Sequence, residues 1–481
     1  MLLLAVVLAG CSYVEGPESG ARPALTASPG ETTLPADATE SDLMGIDGRF
    51  FQITTTVPEF GGYWINRGGD VVIGLTDLSK SAVVETVTRN EVDIKLAQSG
   101  GQRRYEQVTC SFGQLFGWKE SVADPLLQMD GVTFIDVDQA SNKILVGVVT
   151  ASDVAGVPTF ATNAGIPSPA IHTAVVGRIS PSHGGPVETA RDDEHLLSER
   201  FVTTLGGIMV RNGRDDEDRC SLLLGVTVGG AERYVTASHC PWTDDGEYGD
   251  FASLDTSLPL YQARTLASDR LGYEVADPSS TCSYDGGDCR WADAALFGQS
   301  GSDDRFRQGR VATTVSAYED DGDKSTHHNH ENGDSVYVMT GEGGESEPNW
   351  PVSGQSVIKV GFASGRSRGI VVYDCLDLAD WPNRDRGYTL RCQSAATYHS
   401  EGGDSGAPVF ASDGSFFGLH IGHIEGVVLP IGHFDFISYY SPIANIEEDP
   451  GAMDTEGEEH LAFHMPYGIW TAVFAEDGGQ P

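Results

Sequence analysis

The chain has 481 residues, of which 40% are hydrophobic and 21% charged, which suggests two or three folded units and excludes a membrane-helix bundle and a wholly disordered chain. Asp and Glu total 70 against 30 Lys and Arg, so the formal net charge is −40. Such a field repels phosphate backbones and argues against a nucleic-acid partner. The 59 glycines favour a β-rich, loop-rich extracellular protein over a helical one.

The amino-terminal segment has the pattern of a targeting signal. Residues 1–11 form an apolar run that is too short to span a bilayer as a helix. The motif Leu-Ala-Gly-Cys that ends at Cys11 looks like a bacterial lipobox, so we expect lipidation of Cys11 and a location outside the cytoplasm, at the cell surface or secreted. No Lys or Arg precedes the run, which leaves open an upstream start and an ordinary secretory signal.

Regular patterning begins after a predicted flexible tether at residues 12–46, which is rich in Pro, Ser, Thr, Gly, Ala and acidic residues. Residues 47–150 predict a small α+β domain with no obvious catalytic cluster. Its strand patterns cover residues 70–77, 81–88, 132–138 and 143–149, the last two as a hairpin. Ser111–Met129 carries apolar residues at helical spacing after a plausible Ser cap, so it predicts a helix. Residues 151–198 lack sustained periodicity and predict a linker.

The largest predicted domain covers residues 199–448, where short apolar runs are broken by Gly, Asp and Asn. Such runs predict many short strands and therefore an all-β barrel or sandwich. Examples are Cys220–Val228, Arg233–Ala237, Ala294–Phe297, Val357–Val360 and Phe416–Ile421. Residues 449–481 form an acidic and then aromatic tail, whose apolar stretch is too short for a membrane span and is expected to dock on the domain.

The cysteine distribution indicates an oxidising compartment. Six of the eight cysteines form three sequence-adjacent pairs between residues 220 and 392, as in a disulfide-bearing domain. A zinc site is the alternative, but no pair has the two-residue spacing that zinc ligands favour. If Cys11 carries lipid, Cys110 remains alone, and we expect it to be a buried thiol of the amino-terminal domain.

The heptad Gly402–Pro408, with the sequence GGDSGAP, is the most informative motif in the chain. A nucleophilic serine needs an exposed hydroxyl on a tight turn whose backbone N–H groups can bind an oxyanion. Glycines on both sides of Ser405 allow that backbone path and let substrate approach closely. Taken alone, the heptad is also compatible with a plain Gly-Asp-Ser turn.

Two further residues are candidate partners for this serine. His239 ends a strand pattern and precedes Cys240, and an imidazole is the natural base for a serine hydroxyl because it titrates near neutrality. Asp293 lies inside the apolar run Trp291–Phe297, where a buried carboxylate needs a partner such as a His ring N–H. The chain order is therefore His, Asp, Ser, with spacings of 293 − 239 = 54 and 405 − 293 = 112 residues.

This order and these local motifs resemble the chymotrypsin-like serine proteases, in particular their secreted bacterial branch, over roughly residues 200–445. Thr204–Ile208 looks like the opening of the catalytic domain, and Lys359–Gly369 resembles the segment that precedes the nucleophile in bacterial members. The resemblance implies a mainly β fold, in which two six-stranded antiparallel barrels hold the site in the cleft between them.

The resemblance also assigns roles to individual residues. His239 is expected to be the general base, Asp293 to orient it, and Ser405 to be the nucleophile. The N–H groups of Gly403 and Ser405 are expected to form the oxyanion hole. The expected disulfides, each closing a short loop, are Cys220–Cys240, Cys282–Cys289 and Cys375–Cys392.

Residues 47–150 more loosely resemble the amino-terminal domains found in precursors of secreted bacterial proteases. The closing hairpin and the helix that precedes it carry this likeness. It implies that the domain acts as a folding aid or an inhibitor of the protease domain. A spacer domain for a lipoprotein is the alternative.

Two histidines are the candidates for the specificity pocket. In chymotrypsin-like enzymes the pocket floor often lies six residues before the nucleophile, which here is His399, so a preference for Arg or Lys is not expected. Gly418–Gly422 resembles the pocket-wall strand of glutamyl endopeptidases, where a histidine, here His420, meets the substrate carboxylate. Imidazoles supply hydrogen bonds or positive charge, so we expect a preference for Glu. The alternative is that His420 is a wall residue beside an apolar pocket.

Together these patterns predict a cell-surface serine endopeptidase that hydrolyses protein or peptide substrates through an acyl-enzyme, with no metal and no cofactor. The alternative is a non-catalytic adhesin or binding lipoprotein on a protease scaffold, whose signature would be a broken triad. A third hypothesis is metal handling by the histidine-rich cluster Asp320–Glu331. That cluster matches no calcium loop, so a solvated surface loop is expected there.

Overall fold

A computed structural model describes residues 45–181, 196–212, 219–228, 231–240, 257–277, 282–284, 287–299, 305–314, 336–339, 350–381, 388–429 and 432–448. Cys11, most of the predicted tether, the cluster at 320–331 and the tail at 449–481 lie outside these residues, so the hypotheses about them stay predictions. Within the described residues, no helix has both the length and the apolar character needed to cross a membrane.

The amino-terminal part combines helices with two small groups of strands. Its elements are α1 Gly45–Thr56, β1 Phe60–Ile65, β2 Val71–Leu75, α2 Ser81–Ser99, β3 Arg103–Gln107, α3 Phe112–Leu127, β4 Val132–Asp138, β5 Lys143–Val148, α4 Gly156–Asn163, β6 Ile171–Val175 and β7 Ser180–Pro181. β2 pairs with β1 and β3, whereas β4 and β5 form a hairpin that β6 extends in parallel. The core is aromatic: the Phe50 ring lies 4.7 to 5.5 Å from the rings of Phe60, Tyr63 and Phe112.

Two of the local predictions for this part are confirmed. The predicted hairpin is present, and α3 begins after Ser111, whose Oγ accepts the N–H of Gln114 at 3.3 Å. The strand predicted at 81–88 is wrong, because these residues begin α2. The predicted linker at 151–198 contains α4 and β6, and β6 completes the sheet by pairing with β5.

The carboxy-terminal part is almost entirely β-structure. Its elements are β8 Met209–Asn212, β9 Arg219–Ser221, β10 Leu224–Val228, β11 Ala231–Thr236, β12 Pro259–Gln262, β13 Arg270–Ala276, β14 Cys282–Tyr284, β15 Gly287–Arg290, β16 Ala295–Gln299, β17 Arg310–Ala312, β18 Val336–Val338, β19 Ser356–Gly361, β20 Gly365–Trp381, β21 Tyr388–Ala396, β22 Pro408–Phe410, β23 Phe416–Leu429, β24 Gly432–Pro442 and α5 Ile443–Glu448. The predicted short strands are therefore present, with 220–228 divided between β9 and β10.

Two barrels account for most of these strands. In the first, the order is β10-β11-β16-β13-β12-β8-β9, and only Leu222 and Leu223 separate β9 from β10, so the ring is effectively six-stranded. In the second, β20-β21-β24-β23-β22-β19 close on themselves because β19 pairs with β20. Apolar side chains fill both barrels. The mainly β, chymotrypsin-like double barrel expected from the sequence is confirmed.

The amino-terminal part continues the sheet of the second barrel. β4 pairs antiparallel with β20, with Ile135 opposite Asp377. Lys119 of α3 bridges the two parts, because its Nζ lies 3.1 Å from Asp47 Oδ2 and 3.3 Å from Asp377 Oδ2. All three side chains are buried. The two parts therefore meet through paired strands and a buried ionic network.

Candidate active site

His239, Asp293 and Ser405 form one continuous hydrogen-bonded chain. His239 Nδ1 lies 2.5 Å from Asp293 Oδ2, and His239 Nε2 lies 2.7 Å from Ser405 Oγ. The backbone N–H of His239 also donates to Asp293 Oδ1 at 3.1 Å, and all three residues are buried. This geometry lets the imidazole accept a proton from the hydroxyl while the carboxylate fixes the ring.

Strand register brings the histidine and the aspartate together. β11 pairs with β16 so that Thr236, three residues before His239, lies opposite Ala295, two residues after Asp293. The backbone N–H of Ser238 donates to the carbonyl oxygen of Asp293 at 3.3 Å. Both side chains therefore leave the same end of the first barrel.

Two of the expected disulfides are present. Cys220–Cys240 ties the residue after His239 to β9, and Cys375–Cys392 joins β20 to β21. Cys289 is disulfide-bonded and lies opposite Cys282 in the β14–β15 register, but the Cys282 side chain is outside the described residues. Cys110 is a buried thiol, as expected. Disulfides form in oxidising compartments, so these bonds indicate an extracytoplasmic protein.

Ser405 lies on a turn that is packed against the first barrel through backbone atoms. The N–H of Ser221 donates to the carbonyl oxygen of Ser405 at 2.7 Å. Gly406 has a φ of +86°, and a Cβ at this position would lie 2.1 Å from the Ser221 carbonyl oxygen. Gly403 has a φ of +109°, and its Cβ would lie 2.6 Å from the Phe362 ring. The flanking glycines are therefore required by close approach and by backbone conformation.

A buried ion pair beneath this turn was not predicted from the sequence. Asp404 Oδ2 lies 2.8 Å from Lys359 Nζ, and Asp404 Oδ1 accepts the N–H groups of Ala363 and Ser364, both at 3.1 Å. Burial alone would raise the pKa of Asp404, but Lys359 and the hydrogen bonds hold it well below its usual range, so the carboxylate is ionised. The available signal was Lys359 itself, the single charge in the apolar run Val357–Val360.

The two predicted pocket histidines lie in different environments. His420 is fully buried, its Nδ1 lies 3.0 Å from the Tyr398 hydroxyl, and its Nε2 has no hydrogen-bond partner among the described residues. Burial lowers the pKa of His420 well below its usual value, so the ring is neutral and offers hydrogen bonds rather than charge. His399 is more exposed, with its Nε2 3.2 Å from Glu401 Oε1 and its ring against Phe436 at 4.3 Å.

One strand of the amino-terminal part lies close to Ser405. β7 pairs antiparallel with β23, so that Pro181 lies opposite Gly422 and Ser180 lies opposite His423. Ser405 Oγ lies 3.2 Å from the carbonyl oxygen of Ile421, the residue before Gly422. β7 therefore pairs with β23 at Gly422, directly after Ile421, the residue whose carbonyl oxygen contacts Ser405.

No known family model matches the chain, and no curated protein matches it. Among solved structures it is similar to a glutamic acid specific serine protease described as using a novel histidine triad in substrate binding, with 21% identity over 50% of this chain and 95% of that one, and a TM-score of 0.30. Thermobifida fusca protease A shows 20% identity over 50% of this chain and 91% of that one, with a TM-score of 0.29. A Nocardiopsis protease shows 18% identity over 50% of this chain and 92% of that one, with a TM-score of 0.29. Because these TM-scores are low, we assign the fold from the two barrels themselves.

Proposed function

We propose that the protein is a serine endopeptidase whose catalytic domain covers residues 199–448. The observation that carries this proposal is the hydrogen-bonded chain from Asp293 through His239 to Ser405 at the junction of two barrels. Polar groups are costly to bury in an apolar environment unless each has a hydrogen-bond partner, and here both side-chain hydrogen bonds are formed. The intact triad also argues against a non-catalytic scaffold.

The reaction follows from the positions of these three groups. Ser405 Oγ attacks the scissile carbonyl carbon, and its proton passes to His239 Nε2. The tetrahedral oxyanion is bound by the N–H groups of Gly403 and Ser405. The C–N bond then breaks as His239 returns the proton to the leaving amine, which leaves an acyl group on Ser405. Water, deprotonated by His239, hydrolyses this ester and regenerates the serine.

The Lys359–Asp404 pair supports the oxyanion hole rather than the proton transfer. Asp404 lies between Gly403 and Ser405, so fixing its carboxylate fixes the direction of both neighbouring N–H groups. Its carboxylate also accepts the N–H of Glu401 at 3.0 Å, which closes the turn from the other side. The oxyanion donors are therefore held in place before substrate binds.

We propose that the amino-terminal part inhibits the protease until it is removed. An extended peptide substrate binds a protease by adding a strand to an exposed edge near the nucleophile, and β7 already pairs with β23 at that place. The ionic network around Lys119 and the β4–β20 pairing hold the rest of that part on the second barrel. A role as a folding aid is compatible with the same contacts.

The preference for Glu rests on His420 in this proposal. Its Nδ1 contacts the Tyr398 hydroxyl, and if that hydroxyl donates the bond, the ring proton lies on Nε2. A buried donor without a partner is costly, and a substrate carboxylate would satisfy it. The carbonyl oxygen of His420 accepts the N–H of Gly406 at 2.8 Å, so His420 contacts the turn that carries Ser405.

We also propose a lipid at Cys11, which would attach the enzyme to the cell surface.

Hydrolysis of a quenched fluorescent protein substrate tests the proposed activity. Ser405→Ala should reduce the rate to background while leaving the melting temperature within a few degrees of wild type, because the hydroxyl contributes mainly to chemistry. Ser415→Ala, on a turn ten residues later, is the matched control and should retain the wild-type rate. Equal loss in both variants, or no hydrolysis by the processed wild type, would support a binding protein instead.

A further inference from the structure

A buried arginine lies behind the triad aspartate. Arg290 is 1% exposed and precedes Asp293 by three residues. Its Nη1 donates to Ser238 Oγ at 3.0 Å and to Tyr388 Oη at 3.3 Å, and its Nη2 donates to Asp277 Oδ1 at 2.9 Å. A buried guanidinium is costly unless it is paired, so these contacts fix it in one orientation.

Two of the arginine's partners touch the triad. Tyr388 Oη lies 3.5 Å from Asp293 Oδ1, the oxygen that does not bond to the imidazole ring. Ser238 directly precedes His239 and donates its backbone N–H to the Asp293 carbonyl oxygen. The Ser238 hydroxyl also donates to Asp277 Oδ1 at 2.7 Å. The arginine therefore reaches the carboxylate through a phenol and the histidine through the backbone.

Arg290 offsets part of the cost of burying a carboxylate in this network. The pKa of Asp277 is raised because burial outweighs the opposing effects of Arg290 and the Ser238 hydroxyl. The guanidinium carbon lies 4.9 Å from the centre of the Tyr388 ring. Donation from the cation to Tyr388 Oη polarises that hydroxyl and strengthens the bond it can donate to Asp293.

We propose that Arg290 is a positioning residue that acts on Asp293 through Tyr388 and on His239 through Ser238. This inference rests on the proposed protease function, because it concerns the same triad. Tyr388 holds the second oxygen of the Asp293 carboxylate and withdraws part of its negative charge. The network thereby fixes the carboxylate and limits how strongly it stabilises the imidazolium that forms during catalysis.

Kinetics of the mature wild type and variants test the proposal. Tyr388→Phe should lower kcat about fivefold, the effect of one weak hydrogen bond, because the Asp293 carboxylate loses its fixed orientation, and KM should change little. The midpoint of the acidic limb of kcat/KM should move to higher pH, because Asp293 then stabilises the imidazolium more strongly. Arg290→Met should move it further in the same direction, and Arg290→Lys, which keeps the charge, should move it less. Among the described residues, the titratable and charged groups near the imidazole include Asp293, Asp277, Arg290, Tyr388 and His420.

Arg270→Met is the matched control, because Arg270 makes the same type of contact on β13. Its Nη1 donates to Tyr273 Oη at 2.7 Å, and its guanidinium lies 4.7 Å from that ring. This variant should leave both kcat and the acidic midpoint unchanged. If Tyr388→Phe only lowers the melting temperature and leaves the pH profile unmoved, the network is structural and the proposal is wrong.

A readout without turnover separates this proposal from the proposed function. In full-length protein with Ser405→Ala, NMR titration of selectively labelled His239 should show its midpoint raised by Tyr388→Phe and by Arg290→Met. If both substitutions raise the His239 midpoint but the wild type shows no hydrolysis, the positioning role is supported and the protease function is refuted. An active wild type whose His239 titration is unchanged by both variants would refute the positioning role alone. If Arg290→Met does not fold, Tyr388→Phe and Arg290→Lys give the same decision.

Discussion

Lys359 and Asp404 form an ion pair with 2.8 Å between Nζ and Oδ2, and both side chains are fully buried directly beneath the turn that carries Ser405. Removing one partner of a buried ion pair leaves the other charge unpaired, which typically costs about 3–5 kcal/mol. Lys359→Met should therefore lower the free energy of unfolding by about that amount. It should also lower kcat, because the Gly403 and Ser405 N–H groups lose their fixed direction.

Lys359→Arg is the control for this prediction, since it keeps the charge in a larger group. Chemical denaturation and peptide hydrolysis measure the two effects separately. An unchanged kcat in a destabilised Lys359→Met variant would show that the pair stabilises the barrel without organising the oxyanion hole.

Buried carboxyl groups predict that the contact between the amino-terminal part and the second barrel weakens as pH rises. Burial raises the pKa of Asp374 to about 7, and burial followed by the nearby carboxylates raises the pKa of Asp136 well above its usual value. Both oxygens of Asp136 lack a hydrogen-bond partner among the described residues. Among the described residues, the charged and titratable groups around Asp136 and Asp374 include Tyr63, Lys95 and Tyr440 beside Asp374, together with Asp47, Lys119, Glu120, Asp138, Tyr373, Asp377 and Arg391.

The sign of this pH dependence follows from the raised values. An unfolded Asp ionises near pH 4, whereas these groups stay neutral in the fold, so the stability they contribute is complete below pH 4. It falls by about 1.4 kcal/mol per pH unit per group as the pH rises to the folded pKa, near 7 for Asp374. Asp136→Asn should remove the loss due to Asp136, so the free energy of unfolding should fall less between pH 4.5 and pH 7 than it does in wild type. Asp93→Asn, an exposed control, should leave the slope unchanged, and an unchanged slope in Asp136→Asn would contradict the prediction.

Self-inhibition through β7 predicts an activating substitution. Ser180→Pro removes the backbone N–H from a strand that pairs with β23, so β7 should detach more easily. The unprocessed variant should hydrolyse a small peptide substrate several-fold faster than the unprocessed wild type. Ser180→Ala keeps the backbone donor and should behave like wild type. Equal initial rates for all three proteins would show that β7 does not block substrate.

The pocket proposal predicts a substrate preference that depends on His420. Matched peptides that end in Glu, Phe, Leu or Arg before the scissile bond should give the highest kcat/KM for Glu. His420→Gln should reduce that advantage, whereas Tyr398→Phe should reduce it less because it leaves the ring in place. A preference for Phe or Leu, unchanged in His420→Gln, would show that His420 is a wall residue beside an apolar pocket.

Local chemistry made the association of His239, Asp293 and Ser405 predictable from the sequence. A serine between glycines, a histidine before a cysteine and an aspartate in an apolar run each carried a signal. The many short strands predicted an all-β barrel or sandwich, and the resemblance to chymotrypsin-like proteases implied two barrels. The close approach of Gly406 to Ser221 confirms why the motif needs a glycine there.

The failures have a different cause. The run at 81–88 contains three valines and two threonines, which favour a strand, but the pattern of buried residues continues past residue 88. Val84, Thr88, Val92 and Lys95 are the buried residues of α2, spaced by four, four and three positions along one helical face. β6 and the Arg290 network depend on contacts between distant segments, such as β6 with β5 and Arg290 with Tyr388, which no local pattern records.

Fluorophosphonate labelling followed by peptide mapping tests the central claim most directly. Only a serine activated by a neighbouring base reacts rapidly with such a probe. Wild type with its amino-terminal part removed should carry one adduct, at Ser405, and Ser405→Ala should carry none. Labelling should be much slower in His239→Ala, which lacks the base. A wild type that does not react, or an adduct on a serine other than Ser405, would contradict the account.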